Sequence, residues 1–387
     1  MVPIKYNVRN LKVRWVNTLM TILGTGLIVW SSCALFSLVE GLQHSLNVSG
    51  DPLDLIVLRK GSSSETVSGL DSDKADKILN LDGIARDQDG KPLAAGELLH
   101  IPVMERVSGG RANLIFRGIG PASRKLRPDF QIVQGRDLEA GKGEAIVSRT
   151  MTRRFKGAGL GETLQVGPKE SYRVVGIFTA GGSAAESEVW VDIADLKQNT
   201  RREGFVSTVQ LRAASAEARD SLRRTIETDP QFMLAALPEP EFFATQSRTA
   251  LFYKVAGYVI ALFLSVGAMF AAANTMFAAV SSRTREIGTM RALGFSRFSI
   301  LISFLGESVL LCTLGGIVGV LATLPLTFLT FGTNNIDTFA EISVGFRFGP
   351  LVLIVAAAMT LAMGVIGGLF PAIRAVRLDV ISSLREL

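Results

Sequence analysis

Cysteine is almost missing from this chain. Of its 387 residues only Cys33 and Cys312 are cysteines, and both fall inside long apolar runs. The roughly 200 residues from Leu42 to Thr249 contain none. That stretch must fold on its own hydrophobic core without a disulfide framework, which its length permits. Histidine is equally scarce, with His44 and His100 the whole supply. No zinc site is expected from two separated histidines and no cysteine cluster. A phosphate-binding G-x-x-x-x-G-K-[ST] string is absent, and the nearest glycine-rich run, "KGAGLGETL", lacks the lysine. Neither a G-x-S-x-G elbow nor a credible serine–histidine pair occurs. These absences exclude the common enzyme classes, so the chain reads as non-catalytic, with no metal and no cofactor of its own. No charged cluster or aromatic cage stands out between residues 42 and 249 as a binding site.

Charge is also missing, but only locally. No charged residue lies between Arg14 and Glu40, between Lys254 and Arg283, or between Arg347 and Arg374, and Glu307 is the lone charge from Phe298 to Ile336. Spanning the hydrocarbon core takes about 20 helical residues. The four windows predict four membrane helices, at 18–41, 250–280, 298–331 and 348–373. The first is too long for a secretory signal, whose apolar region runs to about 7–15 residues, and no small-residue cleavage site closes it. It reads as a retained anchor.

Basic residues fix the orientation. Lys5, Arg9, Lys12 and Arg14 precede the first span, Arg283, Arg285, Arg291 and Arg297 lie between the second and third, and Arg374, Arg377 and Arg385 follow the fourth. The connector at 332–347, between spans three and four, carries two acids and one arginine. The positive-inside rule places both termini and residues 281–297 in the cytoplasm and residues 42–249 outside. The chain's net charge of +6 therefore belongs to a membrane face, not to a nucleic-acid site. Val8, Leu11 and Trp15 share one helical face, which predicts an interfacial lead-in helix over residues 1–17; a basic cytoplasmic tail fills 374–387.

The external stretch mixes strand and helix signals. "LDLIVLRK", "GEAIVS", "ESYRVVGIFTAG" and "SEVWVD" read as strands. "SDKADKIL" reads as a helix opened by Ser72 or Asp73, and another opens near Ser215. The pattern predicts a two-lobed α+β domain, residues 51 to about 120 with 205–245 forming one lobe and the middle the other. The fold class is an α-helical integral membrane protein with four transmembrane helices and a large extracytoplasmic α+β domain between the first and second.

Within the spans, Gly315 and Gly319, and Gly364 and Gly368, have the spacing that lets helix backbones approach closely. Asn274 is expected to hydrogen-bond across helices. Glu307 sits about 15 Å into its helix, where an acid is either paired with an arginine or functional.

The basic segment at 281–297, "SSRTREIGTMRALGFSR", has its own logic. Ile287, Met290 and Leu293 form an apolar stripe, and Arg283 can pair with Glu286 one turn on. Gly294 suits a helix stop and Ser296 an N-cap for the next span. The string resembles the coupling-helix signature R-x-R-E-I-G-x-x-R-A-x-G of the FtsX/MacB/LolC-type ABC transporter permeases. "ESVLLCTLGGIVG" and the C-terminal "FPAIRAVRLDVISSLREL" are similar to the same family, with Val380 standing where it usually has proline. "VQGRDLEAGKGEAIVSRTMTRRF" is similar to its periplasmic core domain. The resemblance implies a permease in a bacterial inner membrane, paired with a second copy of itself and with two copies of a cytoplasmic ATPase that binds ATP and magnesium. It implies that Arg283, Arg285, Glu286, Ile287, Gly288, Met290, Arg291, Ala292 and Gly294 meet that ATPase. Mechanical export of a hydrophobic or amphipathic cargo is the implied activity, with a periplasmic membrane-fusion or adaptor protein as a further partner. The alternative within the family is a signalling subunit that regulates a cell-wall hydrolase.

Overall fold

The computed structural model of the chain describes residues 15–48, 50–127, 129–167, 170–246, 248–334 and 341–377. The lead-in stripe of Val8 and Leu11, and the tail beyond Arg377 with Val380, lie outside the described residues. Two compact units emerge. One takes the chain up to Gly41, Leu251–Leu329 and the chain from Gly345 onward; the other takes Leu42–Ala250 and Thr330–Val344.

The chain opens with α1 (Trp15–Val48) and enters the larger unit through β1 (Asp54–Leu58), β2 (Leu70–Asp71), α2 (Ser72–Ile78) and β3 (Ala94–His100). The hairpin β4 (Val103–Glu105) and β5 (Arg111–Asn113) leads to β6 (Ile115–Ile119), β7 (Phe130–Gly135), β8 (Glu144–Ser148), α3 (Arg149–Thr152), β9 (Thr163–Gln165) and β10 (Ser171–Ala180). Then come β11 (Glu188–Asp192), α4 (Ile193–Thr200), β12 (Phe205–Val206), β13 (Thr208–Arg212), α5 (Ala216–Thr228), β14 (Ala235–Pro238) and α6 (Glu239–Gln246). The helical unit resumes with α7 (Arg248–Ser281), α8 (Thr284–Ala292), α9 (Arg297–Thr323) and, after the strands β15 (Thr330–Asn334) and β16 (Glu341–Gly345), α10 (Pro350–Arg377).

In the α+β unit one mixed ten-stranded sheet runs β14-β1-β13-β3-β6-β11-β8-β10-β7, with β9 also on β10. Strand alternation divides its two faces. Leu55, Val57, Val209 and Leu211 point toward α2 and α5 and build one core with Ile78, Leu222 and Ile226. Leu98, Phe116, Val189 and Val191 build a second core with Met151, Phe155 and Leu196. The two predicted lobes are thus two cores on one continuous sheet. Their boundary falls within β3, near residue 95, and not near 120, because β3 pairs with β13 on one side and β6 on the other. Asp71, not Ser72 or Asp73, caps α2 by accepting from the Asp73 N–H. Ser215 caps α5 as expected.

Among the described residues, four helices are long and apolar enough to cross a membrane: Thr18–His44, Lys254–Ser281, Arg297–Phe328 and Pro350–Arg377. Val29, Cys33 and Phe36 of α1 recur at helical spacing and pack with Ala261, Ala268, Ala272, Cys312, Val352, Ala356 and Met363. Large side chains such as Phe263 and Phe270 stay on the outside, as lipid-facing surfaces require. The third span tightens to 3-10 geometry over Leu324–Phe328, where Pro325 removes a backbone donor. The connector predicted as a loop at 332–347 contains the β15–β16 pair.

Candidate functional site

The predicted basic segment forms α8, bounded as its residues dictate. Gly294 follows it at φ +91°, a left-handed position that glycine adopts without strain. Ser296 then caps α9 by accepting from the Ser299 N–H at 3.2 Å.

What α8 shows to its surroundings differs from the expectation. Ile287 is fully buried in a core with Met276, Val280, Ile300, Phe304, Leu311, Ala372 and Ala375, and Met290 packs half-buried against it. Gly288 is buried too. The apolar stripe proposed to dock a partner is therefore spent largely within the bundle, because its own helices offer the nearest apolar cover. Arg283 is likewise unavailable for docking. It makes a bidentate bond with Glu307, Nη1 donating at 2.8 Å and Nη2 at 3.0 Å, with both side chains about 95% buried. Its guanidinium also lies 5.9 Å from the Phe304 ring. A carboxylate inside a membrane helix has no water to solvate it, so Glu307 takes its cation from 24 residues away. Arg285, Glu286, Ala292, Leu293 and Gly294 remain on the exposed side and Arg291 is half-buried. Leu293 is 74% exposed.

The glycines hold helices together as expected. A Cβ on Gly315 would run into Thr25, and one on Gly319 into the backbone at Gly26 and Trp30, so α9 seats directly on α1. Gly364 and Gly368 bring α10 against Val309 and Ser308 of α9. Asn274 departs from its expected role. Along the second half of α7 the buried positions are Ala268, Ala272, Met276 and Val280, spaced by four; Asn274, two residues from Ala272, points to the opposite side and is exposed.

In the α+β unit a feature appears that sequence reasoning missed. The sheet face opposite the two cores carries Glu97 on β3, Arg117 on β6 and Glu188 on β11, three neighbouring strands. Arg117 donates all five of its N–H groups: two to Glu188 at 2.8 and 2.7 Å, two to Glu65 at 3.0 Å, and one to Glu97 at 2.7 Å. Arg127 grips Glu97 at 2.8 and 2.9 Å and sits 5.2 Å from the Trp190 ring. The Trp190 indole in turn donates to Glu188 at 2.8 Å. Burial works to raise the Glu97 carboxyl, but the fields of Arg127 and Arg117 outweigh it and hold the group at about 2. The sequence did carry a signal: an arginine inside the otherwise buried strand "IFRGI" and an acid inside "AAGELLH" must each find a partner.

Comparison with known proteins follows the same division. Residues 18–229 match the family model of the MacB-like periplasmic core domain, and residues 258–380 that of the FtsX-like permease C-terminal region. The macrolide export ATP-binding/permease protein MacB of Bdellovibrio bacteriovorus is 24% identical over 298 residues, covering 69% of this chain and 43% of that protein. Its counterpart in Brucella abortus is 38% identical over 122 residues, 32% of this chain and 17% of the relative. The chain therefore spans less than half the length of these relatives. Among solved structures, the periplasmic region of MacB from Actinobacillus actinomycetemcomitans aligns with 54% of this chain and 98% of its own length, at 12% identity and TM-score 0.39. The extracellular domain of the transporter YknZ from Gram-positive bacteria aligns with 48% of this chain and 98% of its own, at 15% identity and TM-score 0.36.

Proposed function

Since this chain belongs to the family of ABC transporter permeases that join a MacB-like periplasmic core domain to an FtsX-like permease domain, we propose that it is the membrane subunit of an exporter driven by an ATPase on a separate polypeptide. The observation that carries the reading is the two-sided character of α8. Its inner side is locked to the bundle by Ile287 and by the buried Arg283–Glu307 pair, and its outer side offers Leu293 with Arg285 and Glu286.

A helix held this way transmits force. When ATP closes a pair of ATPases beneath it, a push on the outer side of α8 cannot be absorbed by sliding, because Arg283 would have to leave Glu307 in an apolar surrounding. The displacement passes to α9 through Glu307 and onward to α10 through the Gly364 and Gly368 contacts. Movement of the extracytoplasmic domain then expels a hydrophobic or amphipathic cargo, with a periplasmic adaptor as a further partner. ATP and magnesium stay on the ATPase. The permease works in a bacterial inner membrane as a homodimer with both termini cytoplasmic, and the outward-facing Asn274 on α7 is offered to the second copy.

The docking anchor on this reading is Leu293, not Met290. Leu293→Asp puts a charge where an apolar contact is needed, and loss of a central anchor costs at least about 2 kcal/mol, more than tenfold in affinity. Co-purification of the ATPase from membranes, with ATP hydrolysis in lipid nanodiscs, tests it. Both should fall at least about tenfold while insertion is unchanged. Full ATPase binding by a correctly inserted Leu293→Asp protein would sink the reading.

A further inference from the structure

On the charged face of the sheet lies a cavity of about 290 Å³, bordered by Leu126 and Arg127, by the 183–188 turn and by Glu239 at the start of α6. Its apolar lining includes Ile56, Leu99, Ile115, Phe130 and Phe243. Its polar lining is short of positive charge. Arg117 and Arg127 share the lining with Asp51, Glu65, Asp129, Glu188 and Glu239; Arg117 is bonded directly to Glu65 and Glu188, and Glu97 behind them engages both arginines. Every N–H of Arg117 is engaged, so it has none left for an incoming anion.

Glu239 is the unbalanced member. It is 95% buried, yet no ion pair reaches it among the described residues. Its carboxylate accepts only neutral donors, the Gln210 side-chain Nε2 at 2.7 Å and the Asp51 backbone N–H at 3.0 Å. Beside it, Gln210 is 96% buried and lines the same cavity, and its Oε1 has no hydrogen-bond partner. An acceptor buried without a donor is costly, and here it stands next to a carboxyl without a cation. Two acceptors, converging in an apolar chamber, ask for a group that donates several hydrogen bonds and brings one positive charge.

We propose that this cavity is a binding site for a small organic ammonium ion: a primary amine whose N–H groups reach Glu239 and Gln210 Oε1, carried on an apolar or aromatic stem that lies against Phe130 and Phe243. At about 290 Å³ the cavity lies at the small end of ligand pockets, which run to about 300–1,000 Å³. A ligand of about ten non-hydrogen atoms fits and a large cargo does not. The site needs no ATPase, so it stands or falls separately from the coupling reading. Burial and neighbouring Asp54 and Glu65, opposed by Arg127 and the Asp51 N–H, push the Glu239 carboxyl up to about 8. At neutral pH an arriving ammonium therefore displaces a proton from it, and affinity should rise as pH approaches 8.

Phenethylammonium, with nine non-hydrogen atoms, is a suitable probe for the full-length chain in nanodiscs, with empty nanodiscs correcting for uptake by lipid. Trp190 lies beside the lining residues Arg127, Glu188 and Phe130, and in a Trp15→Phe, Trp30→Phe background its fluorescence reports the site alone. One saturable site per chain is expected, with the neutral 2-phenylethanol and the anionic phenylacetate each at least tenfold weaker. Glu239→Gln should lose at least tenfold in amine affinity and flatten its rise toward pH 8. Ser183→Phe, which fills the cavity from its lining without touching a charge or adding a second indole, should abolish binding and is a second, independent test beside the Glu239 variant. Equal binding of the alcohol, preference for phenylacetate, full affinity in Glu239→Gln or the absence of a saturable signal would each overturn the proposal.

Discussion

The two units of this protein each bury arginines against acids, and they do so with opposite accounting. In the helical unit one guanidinium meets one carboxylate, Arg283 on Glu307, with two matched bonds and no net charge. In the α+β unit two guanidiniums meet three carboxylates, and Glu239 adds a fourth that no ion pair reaches among the described residues. A balanced pair is a latch: it satisfies both members and asks nothing of a ligand. An unbalanced cluster is a socket, because the fold has brought together more acceptors than it can neutralise. Burial alone does not separate these two uses; counting charges and donors does.

The comparison breaks most sharply at Arg117. Replacing it by leucine strands Glu65, Glu97 and Glu188 around one remaining guanidinium. Orphaning a buried charge costs about 3–5 kcal/mol, and with three acids affected the loss should lie at the top of that range. Chemical denaturation followed through Trp190 should show it. A loss below about 1 kcal/mol would mean that the cluster behaves as a solvated surface network and is no socket.

The latch predicts a smaller loss and a rescue. Arg283→Leu should cost about 3 kcal/mol by leaving Glu307 alone in an apolar surrounding. The double variant Arg283→Leu, Glu307→Leu removes both charges, and well-packed apolar replacements of buried pairs are often neutral in stability. If coupling needs only a rigid joint, the double variant should regain thermal stability and keep ATP-driven activity. Restored stability with lost activity would show that the ion pair itself takes part in the cycle.

How much of this could be seen in the sequence depends on distance along the chain. The spans, the Gly294 stop and the Ser296 cap rest on neighbouring residues and were legible. The small-residue pairs were legible too, since Gly315 and Gly319 repeat within one turn of helix. Arg283 was legible only in part, because local spacing offers Glu286 and only the folded bundle brings in Glu307 from 24 residues away. Asn274 misled because which side of α7 faces inward is set by Ala268, Ala272 and Met276 together with partners on other helices. The charged sheet face required register: Leu99 opposite Arg117 on one side and Trp190 opposite it on the other. A lone arginine in "IFRGI" announces that a partner exists but not which strand supplies it.

The finest distinction between latch and socket is how stability responds to pH. Glu97 is held at about 2 by its arginines, below its ordinary value, so its contribution is present at neutral pH and fades only as pH falls through the acid range. Glu239 is raised to about 8, above its ordinary value. Its folded-state carboxyl keeps a proton that the unfolded chain releases near 4.5. Its contribution is therefore intact below about 4.5, declines as pH rises, and levels off above 8. His100 is lowered by burial and acts in the other direction, losing stability as pH falls, so the total curve mixes both. The difference between the parent protein and Glu239→Gln isolates one carboxyl. That variant cannot ionise, so its stability relative to the parent should grow by on the order of 3–4 kcal/mol between pH 5 and pH 8. Adding phenethylammonium should shrink the gap at pH 8, since the ammonium supplies the charge that the fold leaves out. Thermal unfolding of both proteins in nanodiscs across that interval measures it, and parallel curves at all pH values would mean that Glu239 is already neutralised within the fold and the socket is closed.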